Sequence, residues 1–210
     1  MRMMEIPPGR LDPLTPLSDE ALARSMAETL AAAPTPGAFW LFAYGSLIWS
    51  PCFTPAERRP GVLRGYQRAF NMWTIHSRGT REAPGLGMGL EPGEACSGVL
   101  FRISAETRAQ DFDAIWRREM YTAVYKPCWL PVECGGIERQ ALCFVTDETH
   151  PQYAGAMPPE NAAPIIAHAE GAFGPCRDYL FELLRSLAMH GIREPGLDAL
   201  AALVRKHEPG

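Results

Sequence analysis

The stretch FWLFAYGSLIWSP, residues 39–51, decides the fold. Phe39 through Tyr44 is an unbroken apolar and aromatic run, too short for a helix and suited to a buried strand. Gly45 and Ser46 interrupt it, and Leu47, Ile48 and Trp49 turn apolar again. Gly45 permits a positive φ or a close approach of another group to the backbone. Successive N–H groups at such a turn can form a nest for an anion. Ser46 adds a hydroxyl and Tyr44 a phenol on an apolar ring, which suits a substrate carrying a carboxylate or a polarised carbonyl. The same residues also suit an ordinary turn.

Working outward, the spacing predicts strands over Ala38–Tyr44, Val62–Trp73, Leu86–Leu90, Ser97–Ile103, Trp129–Glu133 and Arg139–Thr146. Gly135-Gly136 joins the last two as a hairpin. On the N-terminal side, a Pro-rich arm through about Pro16 leads to Ser18, an N-cap for a helix over DEALARSMAETLAAA (19–33) that APTPG (33–37) stops. A second helix runs from about Ser104 to Met120. Three more follow in PENAAPIIAHAEGA (159–172), GPCRDYLFELLRSLAMHG (174–191) and GLDALAALVRKH (196–207), with Pro164 poorly placed in the first and Gly191 as a stop for the second. Strands clustered in the middle with helices around them indicate an α+β chain, divided as an arm and helix over 1–37 and one domain over 38–210.

Composition removes several functions. With 210 residues, 47% apolar and 21% charged, the chain is an ordinary globular protein with room for a substantial core. A net charge of −4 gives no basic footprint for nucleic acid, and no run of Lys or Arg invites an acidic membrane surface. MRMMEIPPGR (1–10) lacks the apolar core of a secretory signal, so the cytoplasm is the expected compartment. There the six cysteines are expected as free thiols, mostly buried. None forms a C-x-x-C pair, and no histidine sits at zinc-ligand spacing from two of them, so the spacing points to no zinc site. His168 is expected as a packed residue, and no Ser-His-Asp order or G-x-S-x-G elbow is present.

The most informative carboxylate is Glu119. In SAETRAQDFDAIWRREM (104–120), Phe112, Ile115, Trp116 and Met120 share one apolar face at helical spacing, and Glu119 lies on that face. Asp111 and Asp113 fall outside the stripe, and Arg117 and Arg118 point away from it. Burial and a helix C-terminus both hold a carboxyl proton more tightly. A glutamate tuned upward in this way suits general acid–base work near neutral pH. The competing readings are a structural partner for a buried cation such as Arg108, or an exposed end where the helix frays.

Taken in order, FAYGSLIWSP, RGYQRAF, HSRGTREAPG, RREM, FVTDETHPQYAG and GAFGPCRDYLFELL resemble the ChaC-type γ-glutamylcyclotransferases over nearly all of the chain after residue 38. EMYTAVYKP (119–127) replaces the Lys-Gly-Gly-Tyr continuation of the animal-type enzymes and is closer to the bacterial-type branch. The resemblance implies a small mixed β-barrel flanked by helices. It also implies a small-molecule γ-glutamyl substrate, with glutathione the usual one of this branch, converted to 5-oxoproline and a released amine (Cys-Gly from glutathione) without metal or cofactor. By the resemblance Glu119 is the catalytic acid–base, Tyr44, Gly45, Ser46 and Leu47 form the substrate-binding loop, and Tyr153 lines the pocket. Two alternatives stay open: a cyclotransferase for other γ-glutamyl amines or amino acids, and a non-catalytic binding protein of the same fold.

Overall fold

The structure, a computed structural model, describes residues 11, 14–34 and 39–208. The arm's first ten residues, residues 12 and 13, the helix-stopping residues 35–37 and Ala38 lie outside them. The chain divides into two units, one of residues 15–68 and 90–147, the other of residues 1–14, 69–89 and 148–210.

Most of the first unit is a closed barrel, two of whose strands run on into residues 69–74 and 85–89 of the second. Its strands are β1 (Phe39–Ala43), β2 (Glu57–Thr74), β3 (Gly85–Ile103), β4 (Tyr125–Cys134) and β5 (Ile137–Thr146), in the order β1-β3-β2-β4-β5. β1 pairs antiparallel with β3 and parallel with β5, which makes the barrel mixed. Gly135 and Gly136 both adopt positive φ, +60° and +76°, and make the expected tight hairpin between β4 and β5. Leu41, Leu63, Leu90, Leu100, Phe101 and Leu142 are fully buried.

Two expected strands, Leu86–Leu90 and Ser97–Ile103, are parts of one continuous β3. Pro92 and Gly93 lie within it, and the Gln67 side chain lies so close to Gly93 that a Cβ there would sit 2.5 Å from it, while Gln67 donates to Glu91 at 3.0 Å. Gly98 has a second close approach: a Cβ would fall 2.5 Å from the Ala43 carbonyl oxygen and 2.7 Å from the Phe42 ring. Gly98→Ala is therefore expected to destabilise the protein by about 2 kcal/mol, through overpacking against backbone that cannot rotate away. A chemical-denaturation midpoint equal to wild type would contradict this.

Helices α1 (Asp19–Ala31) and α2 (Arg108–Glu119) belong to the same unit. Ser18 caps α1 as expected, accepting from the Ala21 N–H at 3.2 Å. Phe112, Ile115 and Trp116 are buried, with Phe112 edge-on to Phe39 at 5.5 Å and Trp116 edge-on to Phe144 at 5.6 Å. Trp116 Nε1 donates to Ser25 Oγ at 2.7 Å, and Trp129 Nε1 donates to the Thr29 carbonyl at 2.8 Å, which ties α1 to α2 and β4. α2 starts later than Ser104, because the Ser104 hydroxyl bonds Glu106 and holds a preceding turn. Asp111 is buried rather than outside the stripe; its carboxylate accepts from the Thr107 hydroxyl at 2.6 Å. Arg108 lies over the Phe39 ring at 5.0 Å.

In the second unit, α3 (Pro159–His168), α4 (Cys176–Met189) and α5 (Pro195–Lys206) pack on one another. Ile166, Leu180, Leu183, Leu187, Leu200 and Val204 fill that core. α3 ends before AEGA because β6 (Glu170–Gly171) and β7 (Gly174–Pro175) form a small hairpin there. His168 is exposed, not packed, and its Nδ1–H donates to the Pro164 carbonyl at 2.8 Å. Gly191, at φ +70°, ends α4 as expected. All six cysteines are free thiols, with Cys96, Cys134, Cys143 and Cys176 buried. Among the described residues, no helix is long and apolar enough to cross a membrane.

Candidate active site

The end of β1 is fixed at two points before the chain turns. The Tyr44 hydroxyl donates to the Phe144 carbonyl of β5 at 2.6 Å, and Arg68 Nη1 donates to the Tyr44 carbonyl at 2.6 Å. The phenol is thus engaged within the barrel unit. Gly45 follows with φ −131° and ψ −138°, so its positive-φ option is not used. Ser46–Ile48 then form one 3₁₀ turn, closed by Ile48 N–H to the Gly45 carbonyl at 3.0 Å and anchored by buried Leu47 and Ile48. The N–H groups that open such a turn point away from its own ladder.

Glu119 is the last residue of α2, and its side chain is only 14% exposed. Burial raises its pKa above the ordinary carboxylate value, and the neighbouring Arg118 charge partly opposes that rise. Here the structure corrects the expectation that Arg118 points away. Its Nε lies 3.3 Å from Glu119 Oε1, its Nη2 donates to Ser46 Oγ at 2.8 Å, and its Nη1 donates to the Ser50 carbonyl. Arg117 does turn outward, to Asp113 at 2.9 Å and Asp19 at 2.7 Å. Cys52 lies beside the same pair: burial pushes its thiol pKa up, Arg118 opposes that, and Glu119 adds to it.

Glu119 and the Tyr44–Leu47 loop, far apart in sequence, are therefore joined through one guanidinium. Arg118 and Arg68 are the two site residues that the residue patterns alone did not single out. Arg68 has a traceable signal. Buried positions on β2 fall at Gly61 and Leu63, then at Arg68 and Phe70, so the alternation changes parity between them before the strand becomes buried on both faces from Phe70 to Trp73. Gly65, at φ +81°, supplies the extra residue of a bulge that would turn Arg68 inward. Tyr153 belongs to the second unit, where it is half-buried, bridges Met72 and donates its N–H to the His150 carbonyl at 2.9 Å.

An arrangement of a buried carboxylate, a fixed guanidinium and a hydroxyl-bearing turn can move protons beside an anionic or carbonyl-containing small molecule. Residues 39–207 match the family model for ChaC-like protein. The chain is 37% identical over 190 residues to the glutathione-specific γ-glutamylcyclotransferase of Escherichia coli K12, covering 90% of this chain and 82% of that protein. It is 30% identical to the human glutathione-specific γ-glutamylcyclotransferase 1, covering 80% of this chain and 78% of the other. The crystal structure of the yeast γ-glutamyl cyclotransferase specific to glutathione superposes with a TM-score of 0.73 at 20% identity, covering 82% of this chain and all of that one, which marks a shared fold. With the family model spanning the barrel strands, α2 and the helices that follow, the chain belongs to the ChaC-like protein family.

Proposed function

We propose that this protein is a glutathione-specific γ-glutamylcyclotransferase, which converts glutathione to 5-oxoproline and cysteinylglycine. The observation that carries the reading is Glu119, a nearly buried carboxylate with raised proton affinity, tied through Arg118 to the Ser46 turn. Support for the substrate comes from relatives that act on glutathione and resemble the chain along most of its length.

The reaction is redox-neutral and balanced within the substrate. The α-nitrogen of the γ-glutamyl group attacks its own γ-carbonyl carbon, a C–N bond forms, and the amide C–N bond to cysteine breaks. The α-nitrogen gives up two protons and the leaving nitrogen gains two. Glu119 accepts a proton from the α-ammonium and returns it to the departing amine. Because both reacting groups belong to one molecule, holding the chain folded supplies much of the acceleration. N–H groups at Gly45–Leu47 receive the glutamyl carboxylate or the developing oxyanion, with the Ser46 hydroxyl beside them. Water must be kept from the carbonyl, since hydrolysis yields glutamate instead. The proposal places the protein in the cytoplasm, where the partly exposed thiols of Cys52 and Cys128 stay reduced.

Turnover of glutathione and of γ-glutamyl-alanine, followed by mass spectrometry, tests the substrate. Cysteinylglycine from glutathione with little turnover of γ-glutamyl-alanine is expected. The reverse preference would indicate a cyclotransferase for other γ-glutamyl amino acids, and tight binding without product a binding protein of the same fold.

A further inference from the structure

Arg118 carries more structure than a surface arginine next to a carboxylate. Its guanidinium reaches three groups from two separate segments: Glu119 on α2, and Ser46 and Ser50 on the turn that follows β1. The guanidinium is partly exposed; its bond to Ser46 is part-buried, and its bond to the Ser50 carbonyl lies at the surface. The planar fork of arginine can hold such a divergent set of acceptors in fixed directions, whereas an ammonium group cannot.

We propose that Arg118 is the positioning residue of this site: it fastens the Glu119 end of α2 to the Ser46–Ser50 turn and supplies the fixed positive charge that keeps Glu119 able to release its proton. The role rests on Glu119 acting as the acid–base. A carboxylate withdrawn from water with no cation beside it holds its proton more tightly and is ionised over a narrower range of pH, so it is less available to accept one from an ammonium group. Among the described residues, the charged or titratable groups that bear on Glu119 are Arg118, from its own helix, and Cys52, from the segment after the turn. Of these only Arg118 favours the ionised carboxylate, so it alone offsets the burial. Ser46 then serves two purposes, as a bond to the guanidinium and as part of the loop that meets substrate.

The test is the pH dependence of kcat/KM for 5-oxoproline formation in Arg118→Gln and Arg118→Lys beside wild type and Glu119→Gln. The acid limb reports Glu119 in the free enzyme, and removal of the positive charge raises the pKa of a carboxyl. Arg118→Gln is therefore expected to move the limb up by about one pH unit, with kcat/KM on the acid limb down about tenfold. Arg118→Lys restores the limb toward wild type but keeps a raised KM, because the charge returns without the fork to the turn. An acid limb unchanged in both variants, with equal losses at every pH, would mean a structural role only and would overturn the proposal. Should Arg118→Gln fold poorly, Arg118→Lys and Ser46→Ala still decide it: the first must keep the limb, and the second must raise KM without moving it. If Glu119→Gln turns over like wild type, the reading of Glu119 falls and the Arg118 role falls with it. An inactive Glu119→Gln with an unmoved Arg118→Gln limb overturns the Arg118 role alone.

Discussion

Replacing Glu119 with glutamine is expected to lower kcat for 5-oxoproline formation by about 10³-fold, within the range that a positioned acid–base supplies. Glutamine keeps the size and hydrogen-bonding reach of the side chain but cannot accept a proton, so substrate binding changes little and the loss falls on kcat. Stability distinguishes this from unfolding. Glu119 holds its proton more tightly in the folded state than in the unfolded chain, as burial dictates. Protonation therefore favours folding, and the contribution is lost as pH rises from the ordinary carboxylate range through the raised value. Glutamine never ionises and escapes that loss, so the variant is expected to be as stable as wild type at pH 7, or more so. Wild type should also lose kcat/KM as pH falls below the raised pKa, while the small residual activity of Glu119→Gln should not follow that limb. Wild-type turnover by a folded Glu119→Gln would remove the residue from the chemistry.

The largest stability effect is expected at Trp116. Its ring is fully buried, edge-on to Phe112 at 6.2 Å and Phe144 at 5.6 Å, and its N–H bonds Ser25. Trp116→Ala removes those contacts and leaves a cavity, at a cost of about 3–5 kcal/mol, or roughly 10 °C in Tm for a chain of this size. The consequence reaches the site. Phe144 also accepts the Tyr44 hydroxyl, so the support beneath α2 and the support beneath the loop converge on one residue of β5. Trp116→Ala is expected to raise KM and lower kcat together. Trp116→Phe should recover most of the stability, losing chiefly the bond to Ser25. Equal stability of Trp116→Ala and wild type in denaturant unfolding would show that α2 is held by other means.

Much of this arrangement was legible in the residues. The apolar run ending in Tyr-Gly-Ser, the Gly135-Gly136 hairpin and the helical stripe carrying Phe112, Ile115, Trp116 and Glu119 each reflect a local periodicity that the fold respects. Other features depend on contacts between distant segments. β3 runs through Pro92 and Gly93 because Gln67 fills the space that a side chain at Gly93 would take. Arg68 faces inward after the alternation of β2 changes parity near Gly65. Asp111 is buried because Thr107 satisfies it one turn earlier. A helical wheel points Arg118 away because it gives the direction of Cβ alone. A long guanidinium arm can bend back toward its neighbour, and the acceptors that draw it there, Ser46 and Ser50, lie about seventy residues earlier in the chain.

The most direct measurement is the product formed from glutathione in water enriched in ¹⁸O, with wild type and Glu119→Gln side by side. Intramolecular attack by the α-amine gives 5-oxoproline without label, formed by wild type and about 10³-fold more slowly by the variant. Labelled glutamate as the first product, or unlabelled 5-oxoproline at equal rates from both proteins, would contradict cyclisation with Glu119 as its acid–base.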